Sequence, residues 1–399
     1  MENFRFDVAT DIRFGKDQLK DLPEVLGQFG KRVLMAYGGG SIKQFGLYDK
    51  VVDLLKANDF HIVELTGIEP NPRIESVREG VRLIRENDLE VILAVGGGSV
   101  IDAVKVIAGG VYYDGDAWDL VLDSSKFGKA TPIVDILTLA ATGTEMNRNA
   151  VISNMETNQK IGTSGWEVLP KASFLDPTNT FTVSKWQTAA GTADMMSHLF
   201  EQYFNRTTAV DVQNNIAEGL LKTAIKYGPI ALENPEDYDA RANLLWTSTL
   251  ALNGLVGKGR AGGWTLHPIE HIWSAHYDIT HGIGLAILTP RWMKHCIDTD
   301  ESTHGYFANY ARNVWGISEE NEEKAARLAV EKTYSFYAND LEIPMTLQET
   351  GIKTQELVRQ MSEEAVEGGN LTSKNPFVPL SVEDVEQMMN ACFVEMSEF

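Results

Sequence analysis

The sequence predicts an α/β domain followed by an all-helical domain. In the first half, short continuous apolar runs alternate with amphipathic segments. Such runs between helices indicate a parallel sheet that is covered on both faces. After about Pro177 the strand signals stop and long helical patterns follow, which implies a second domain. We place the α/β domain at 1–180 and the helical domain at 181–399, with the boundary in the turn-rich stretch SFLDPTNTFTVSK.

The individual elements follow from residue spacing and from β-branched content. The predicted strands, rich in Val, Ile and Leu, are 31–37, 61–67, 91–97 and 132–140. The predicted helices of the first half are 47–59 and 73–88. Those of the second half are 185–205, 209–228, 235–257, 264–277, 319–338 and 381–396. The stretch 365–378 is predicted to be a surface loop.

Composition excludes several classes of function. The chain has 399 residues and a formal net charge of −21, so it lacks the basic surface that nucleic acids and anionic membranes require. Two cysteines are too few for a disulfide scaffold or a cysteine zinc site. The N-terminus has no apolar signal segment, and the longest apolar stretch is interrupted by glycines, Asp102 and Lys105. We therefore expect a cytoplasmic protein that binds neither nucleic acid nor membranes.

Two glycine-rich turns, YGGGS at 37–41 and VGGGS at 95–99, each follow a predicted strand and precede a helix. Glycine allows a phosphate to approach bare N–H groups, and a helix N-terminus adds partial positive charge. Neither turn matches GxGxxG, and either alone could be a plain strand–helix turn. Together they indicate one extended anionic ligand. Gly97, Gly98 and Ser99 could cradle a pyrophosphate, and Asp102 follows in the first helical turn.

The first turn also bears on the choice of cofactor. A carboxylate near the end of such a strand normally accepts a hydrogen bond from the ribose 2′-OH and repels a 2′-phosphate. Here no acid follows the strand until Asp49, and Ser41 and Lys43 are donors. This pattern favours NADP(H) over NAD(H).

Histidines and one aspartate form a candidate metal site. Asp194 and His198 are four apart in a predicted helix, where an exposed pair is the alternative, worth about 0.2–0.5 kcal/mol. Four of the eight histidines fall between 267 and 281, and any one of them alone is more readily a core or surface residue. One carboxylate with three imidazoles, from Asp194, His198, His267 and His281, suits Fe²⁺ or Zn²⁺. No HExxH motif indicates a zinc protease.

Spacing along the chain also predicts where the histidines between 267 and 281 lie. His267 and His271 are four apart, so they share one face of the predicted helix. His281 precedes Gly282, in a turn that is predicted to follow this helix.

Four aromatic residues could line an apolar substrate pocket or belong to the core: Trp166, Phe181, Trp264 and Trp273.

A set of motifs in fixed order carries a family resemblance that covers essentially the whole chain. The motifs are TDIRFGKD near the start, PNP at 70–72, GGGSVID at 96–102, TLAATGTEMN at 138–147, DPTNT at 176–180, GTADMMSH at 191–198 and the HxxxH…HG cluster. The chain resembles the group III, metal-dependent (iron-containing) alcohol dehydrogenases. Within that family it is most similar to the branch of butanol dehydrogenases and NADPH-dependent aldehyde reductases.

The resemblance implies a dehydroquinate synthase-like fold, in which a Rossmann-like dinucleotide domain faces an all-helical domain with the metal in the cleft. Carried over by motif, the metal ligands are Asp194, His198, His267 and His281, and His271 is the candidate catalytic residue on the proton path. The implied cofactor contacts are Gly38, Gly39, Ser41, Asn71, Gly97, Gly98, Ser99, Asp102, Thr138, Asn147 and Lys160. The resemblance also implies a homodimer.

The implied function is NADP(H)-dependent interconversion of butanol-like primary alcohols and aldehydes, with a divalent metal polarising the substrate oxygen. Alternatives are a glycerol-type polyol dehydrogenase and a metal-dependent cyclase or lyase on the same fold. The Asp194–His198 pair counts against the first, and the second needs a Glu ligand and basic residues that we do not find around the histidines. Retention of all four candidate ligands argues against an inactive NADP-binding module.

Overall fold

The computed structural model describes residues 1–372 and 377–396, and the chain divides into two units. The first, called here the α/β unit, consists of Asp7–Val183 and Pro235–Thr249. The second, the helical unit, consists of Met1–Phe6, Ser184–Asn234 and the described residues from Leu250 onward. A single boundary at 180 does not anticipate that 235–249 group with the α/β unit.

The α/β unit contains all the strands found in the described residues. In chain order, its first elements are β1 (Asp11–Phe14), α1 (Leu22–Gly27), β2 (Arg32–Tyr37), α2 (Ser41–Gln44), α3 (Leu47–Lys56), β3 (His61–Leu65), α4 (Ile74–Glu86) and β4 (Val91–Gly96). They are followed by α5 (Gly98–Gly110), α6 (Trp118–Leu122), β5 (Ile133–Leu137), β6 (Asn149–Asn154), β7 (Gln159–Ser164) and β8 (Ala172–Leu175).

Six of these strands form one parallel sheet in the order β1-β8-β5-β4-β2-β3. β6 and β7 form a separate antiparallel hairpin. Because the sheet side chains alternate between faces, each central strand contributes to two cores. Val33, Met35 and Tyr37 of β2 pack with α1 and α3, whereas Leu34 and Ala36 pack with α4 and α5. Burial on both faces explains the continuous apolar runs in the sequence.

The helical unit is built from long helices. In chain order the remaining helices are α7 (Lys185–Tyr203), α8 (Asp211–Glu233), α9 (Tyr238–Leu252), α10 (Leu266–Tyr277), α11 (His281–Thr299), α12 (His304–Asn313), α13 (Glu322–Ser335), α14 (Val358–Gly369) and α15 (Val382–Ala391). The first twelve residues of α9 lie in the α/β unit. Among the described helices we find none with the length and apolar content needed to cross a bilayer.

The predicted elements are all present, with ends shifted by at most five residues. The expected combination of a parallel-sheet domain and a helical domain is therefore confirmed. Several elements were not predicted, among them β1, β8, the β6–β7 hairpin, α11, α12 and α14. The loop predicted at 365–378 is wrong in its first part because α14 continues to Gly369, and residues 373–376 lie outside the described part of the chain.

Candidate functional site

Helix α7 presents three ionisable side chains on one face. Asp194, His198 and Glu201 follow the spacing i, i+4, i+7, which places them on one stripe of a helix. Every residue of α7 from Thr188 to Tyr203 is buried. The helix begins at a Ser184 cap whose hydroxyl accepts from Gln187 N at 3.2 Å. A helix enclosed in this way holds its side chains in fixed positions.

Glu201 attaches the start of α10 to α7. Its carboxylate accepts hydrogen bonds from Thr265 N at 2.8 Å and from His267 N at 2.9 Å. These are N–H groups that a helix start leaves without an intrahelical partner, and a negative charge there is favourable. The same carboxylate lies 3.2 Å from Nδ1 of His267. With Nδ1 donating to Glu201, Nε2 of His267 is free to act as a ligand atom.

His281 is the first residue of α11, which corrects the prediction that it lies in a turn. Its Nδ1 hydrogen-bonds to the fully buried carboxylate of Glu270. Gly282, the next residue, lies directly against the backbone of Ala190 in α7, where a Cβ would collide with the carbonyl group. Glycine therefore allows the first turn of α11 to approach α7 closely enough to place His281 beside Asp194.

The result is a cluster centred on one carboxylate oxygen. Asp194 Oδ1 lies 3.4 Å from His198 Nε2 and 3.8 Å from Nε2 of both His267 and His281. Ligands at about 2.0–2.2 Å from a tetrahedral metal are separated from one another by roughly 3.3–3.6 Å. Within the described residues, Asp194 Oδ1 and His267 Nε2 are buried without a hydrogen-bond partner. Orphaned buried polar atoms at this spacing fit a divalent cation.

Burial and neighbouring charges shift the pKa values of three residues in the cluster. Burial alone would raise the pKa of Asp194, but the neighbouring imidazoles, His198 foremost, hold it below its usual range. Burial lowers the pKa of His198 to about 3 against the attraction of Asp194. Burial opposes protonation of His267 too, but Asp194 and Glu201 raise its pKa to about 9. The buried carboxylates of Asp194 and Glu201 thus favour a positive charge beside them.

The remaining candidates around this cluster separate into near and distant ones. The His271 ring centroid lies 5.5 Å from that of His281 and 6.0 Å from that of His267. Trp264 lies 4.6 Å from the His267 ring, so of the four candidate pocket aromatics it is the one beside the histidines. Trp273 is fully buried in the core, and Trp166 is exposed on the α/β unit, where it stacks on Arg148.

The two glycine turns lie side by side at the carboxyl end of the sheet. β2 and β4 are neighbouring parallel strands, with Tyr37 opposite Val95, so the residues that follow them share one edge. Gly97 is the N-cap of α5, and Gly98 is its first residue. Gly98 packs against Thr142, whose side chain a Cβ would strike. The segment after β5 therefore closes over the second turn.

Three of the candidate cofactor residues lie in the segment after β5 or form hydrogen bonds with it. Thr138 N donates to Gly96 O at 3.1 Å, which ties the end of β5 to the second turn. Asp102 accepts from the Thr144 hydroxyl at 2.6 Å and from Val151 N at 2.9 Å. Asn147 is buried and donates to Gly143 O at 2.9 Å. The structure thus brings these residues together with the turn that contains Gly97, Gly98 and Ser99.

Asn71 and Lys160 are brought together by the hairpin. Asn71 takes a left-handed conformation with φ 52°, and the next residue, Pro72, accepts from Ser153 N at 2.8 Å. Ser153 is the register partner of Lys160 across β6 and β7. Both candidates therefore lie where the hairpin meets the segment after β3.

An acid of the neighbouring strand lies close to the first turn. Gly38, Gly39 and Ser41 follow β2 as expected, but Glu64 of β3 reaches the neighbourhood of Lys43, with 4.0 Å between Oε2 and Nζ. Glu64 is already engaged, since it accepts from the hydroxyls of Tyr37 and Tyr48. It was missed because it lies on the neighbouring strand and not on the turn.

Other residues of the site were also missed, although two had a readable signal. Glu201 continues the helical stripe of Asp194 and His198, and Glu270 stands three residues after His267. Lys105, three residues after Asp102, is fully buried and hydrogen-bonded to the Thr144 hydroxyl and to Asn147. Its burial could not be inferred, because a lysine on a helix is ordinarily exposed.

Two family models match consecutive parts of the chain. Residues 9–177 match the family model described as iron-containing alcohol dehydrogenase, and residues 188–393 match its C-terminal counterpart. The chain is 50% identical to NADH-dependent butanol dehydrogenase A of Clostridium acetobutylicum, over 98% of this chain and 100% of that one. It is 39% identical to the NADPH-dependent aldehyde reductase YqhD of Escherichia coli, over 88% of this chain and 90% of that one.

A solved structure agrees over nearly the whole length. NADH-dependent butanol dehydrogenase A from Thermotoga maritima superposes with a TM-score of 0.92 at 39% identity, covering 99% of both chains. These matches confirm the resemblance that the motifs indicated. The chain belongs to the iron-containing alcohol dehydrogenase family and is an NAD(P)-linked alcohol dehydrogenase.

Proposed function

We propose that Asp194, His198, His267 and His281 bind one divalent metal ion, Fe²⁺ or Zn²⁺, at the centre of the helical unit's histidine cluster. The observation that carries this proposal is the set of three Nε2 atoms at 3.4–3.8 Å from one buried, unpartnered carboxylate oxygen. One carboxylate and three neutral imidazoles suit both ions, so the donor set does not choose between them. When bound, the metal acts as a Lewis acid on the oxygen of an alcohol or aldehyde.

The protein's own residues supply orientation and proton transfer. Glu201 and Glu270 hold Nδ1 of His267 and His281, so both imidazoles keep Nε2 toward Asp194. His271 lies beside this cluster, outside the ligand set, and we assign it the proton relay to the substrate oxygen. An imidazole suits this task because its ordinary pKa lies near neutrality.

The α/β unit binds the nicotinamide cofactor in this proposal. The two adjacent glycine turns take the adenosine end at Gly38, Gly39 and Ser41 and the pyrophosphate at Gly97, Gly98 and Ser99. Further contacts come from residues beside the second turn and the hairpin, namely Asn71, Asp102, Thr138, Asn147 and Lys160. Hydride transfer between substrate carbon and nicotinamide is the chemistry of the cofactor.

The proposed substrates are butanol-like primary alcohols and the corresponding aldehydes. Support comes from relatives named butanol dehydrogenase at 50% identity and aldehyde reductase at 39%. A relative named 1,3-propanediol dehydrogenase is only 28% identical, so a polyol substrate is less well supported. Purified protein stripped with a chelator and reloaded anaerobically with Fe²⁺ or Zn²⁺ should oxidise reduced cofactor in the presence of butanal. A metal-free protein with the full rate would contradict the proposal.

The ligand assignment is tested by His267→Ala. We expect loss of most bound metal and nearly all activity, with the fold retained, because four ligands leave none to spare. The matched control is His276→Ala in the same helix, since His276 pairs with Glu364 and lies outside the cluster. Unchanged metal stoichiometry in His267→Ala would remove this residue from the ligand set.

We further propose a preference for NADPH. The turn itself has no carboxylate, Lys43 stands next to it, and both oxygens of Glu64 are covered by tyrosine hydroxyls. Relatives divide on this point, since one is named NADH-dependent at 50% identity and another NADPH-dependent at 39%. Placing an acid on the turn with Gly39→Asp should shift kcat/KM toward NADH tenfold or more, since charges about 4 Å apart interact by about 1–4 kcal/mol.

The Gly39→Asp test is sterically clean. A Cβ at Gly39 meets no atom of the described residues within 4 Å, and its φ lies outside the left-handed region. Lys43→Met is the companion variant, and it should weaken NADPH more than NADH. Equal kcat/KM for both cofactors in the wild type, or an unaltered ratio in Gly39→Asp, would show that this turn does not read the 2′ position.

We also propose a homodimer, on the family resemblance alone, and a cytoplasmic location, which the low cysteine count favours. Sedimentation equilibrium should give twice the chain mass, and cell fractionation should place the protein with the cytoplasmic marker. A monomeric mass at micromolar concentration would contradict the first expectation.

A further inference from the structure

Lys105 is a fully buried lysine in the middle of α5, and its ammonium group lies among four oxygen atoms. It donates to Thr144 O at 2.7 Å, Thr144 Oγ1 at 2.6 Å, Asn147 Oδ1 at 3.1 Å and Asn149 O at 2.7 Å. An ammonium has only three N–H groups, so the four acceptors share them. All four belong to the segment 144–149, which connects β5 to the hairpin.

The first consequence concerns Asp102, one turn away on the same helix. Because Thr144 Oγ1 accepts from Lys105, its own proton is left to donate, and it does so to Asp102 Oδ1 at 2.6 Å. The other carboxylate oxygen accepts from Val151 N at 2.9 Å. Lys105 therefore sets the direction of the Thr144 hydroxyl and, through it, the position of the Asp102 carboxylate.

The second consequence concerns Asn147. Its Oδ1 accepts from Lys105 and, at 2.8 Å, from Asn149 N, while its Nδ2 donates to Gly143 O at 2.9 Å. The amide is therefore fixed, with oxygen toward Lys105 and nitrogen toward the loop. Without an ammonium at this point, the amide would lose the charged donor that holds its oxygen.

We propose that Lys105 is a positioning residue for the part of the cofactor beyond its adenosine end: it ties α5 to the segment 144–149 and so fixes Asp102 and Asn147 beside the second glycine turn. This inference rests on the proposed function for the role of those two residues. An independent contact supports it, since Gly98 packs against Thr142 with a hypothetical Cβ only 3.0 Å from Thr142 Cβ. The stretch 142–149 is thus held at two points, at Thr142 by Gly98 and at 144–149 by Lys105.

A role in stability alone does not explain an ammonium here. Burial lowers the pKa of Lys105 to about 8, against the attraction of Asp102, Glu145 and Asp135, so the charged form is held at a cost. Replacing a buried charged group by an apolar one is often neutral or stabilising when its partners are also changed. What an apolar side chain cannot supply is three directed donors. The geometry therefore favours positioning over packing.

The test compares Lys105→Met with Lys50→Met, which makes the same change at an exposed helical position of the same unit. We would measure binding of NADPH and NADH, and of 2′,5′-ADP and AMP, which carry the adenosine end alone. Lys105→Met should weaken the whole cofactor at least tenfold, lower kcat at saturating cofactor, and leave the fragments within about twofold of wild type. Lys50→Met should change none of these.

A second pair of variants changes the Thr144 hydroxyl that joins Lys105 to Asp102, should Lys105→Met fail to fold. Thr144→Val loses the hydroxyl and should repeat the loss for whole cofactor, whereas Thr144→Ser keeps the hydroxyl and should restore wild-type values. Unaltered cofactor affinity and kcat in Lys105→Met or Thr144→Val would overturn the inference. An equal loss for cofactor and fragments would do so too, because it would indicate general damage to the unit.

The proposed function and this inference fail in different ways. Wild-type protein that binds neither NADPH nor NADH would refute the cofactor site itself. Wild-type protein that binds a cofactor, together with variants that behave like it, would refute the role of Lys105 alone.

Discussion

Gly282→Ala should damage the metal site from outside the ligand set. A Cβ at this position would lie 2.6 Å from Ala190 C, whereas ordinary contact begins near 3.4 Å. No side-chain rotation can relieve this contact, because the Ala190 atom belongs to the backbone and the Cβ is attached directly to it. The Cβ would lie closer still to Ala190 O, so the first turn of α11 must move away from α7 by about 1 Å or more. A misplacement of about 1 Å costs roughly 10²-fold in activity. His281, one residue before Gly282, moves with it.

We expect kcat/KM with butanal to fall by roughly 10²-fold and the metal to dissociate more readily. Overpacking should also lower the free energy of unfolding by about 1–3 kcal/mol. Steady-state kinetics, metal analysis after dialysis and chemical denaturation measure the three effects. The control is Gly219→Ala in α8, where a Cβ meets no described atom within 4 Å and should add roughly 0.5–1 kcal/mol of stability. Wild-type metal retention and activity in Gly282→Ala would refute the argument that close helix approach places His281.

Three further results are expected. His271→Ala should keep metal and cofactor but lose roughly 10²–10⁴-fold in rate, and a collapse in metal content would instead make His271 a ligand. Glu201→Gln should weaken metal affinity by roughly 10–100-fold, measured by competition with a chromophoric chelator, whereas unchanged affinity would show that Nδ1 of His267 needs no carboxylate. Lys105 has a folded-state pKa of about 8 against an ordinary value of 10.5, so the folded state releases this proton first. Between pH 8 and 10.5 the free energy of unfolding of the wild type should therefore rise relative to that of Lys105→Met, by up to about 3 kcal/mol. Parallel pH profiles of the two proteins would contradict the lowered pKa.

Strands β2, β4 and β5 could be predicted from sequence because both of their faces are buried. β2 and β4 read as continuous apolar runs because their alternate residues enter two different cores. β1 and the β6–β7 hairpin could not be recognised in the same way. β1 is one of two edge strands, its four residues DIRF are exposed or half-buried, and the hairpin carries many polar residues. Their pairing depends on neighbours that are distant in sequence.

The helical unit shows a complementary limit. The candidate ligands on α7 could be predicted because helical spacing brings Asp194 and His198 together. α11 was missed because Gly282, Gly284 and Pro290 are poor helix formers, yet tertiary packing overrides their local preference. The burial of Glu201, Glu270 and Lys105 could not be predicted, for a different reason. Their partners come from other elements, so only the folded chain shows that their charges are compensated.

The order of the strands has a consequence for ligand binding that does not depend on any motif. From β2 the chain passes through α3 to β3 on one side, and from β4 it passes through α5 to β5 on the other. The helices α3 and α5 cover opposite faces of the sheet. Connections that diverge from two neighbouring strands leave a crevice at their carboxyl ends, the topological switch point at which open α/β sheets receive ligands. A GxGxxG motif is therefore not required for a ligand to fit here, because the strand order itself creates the crevice. The glycines of the two turns only leave the crevice free of side chains.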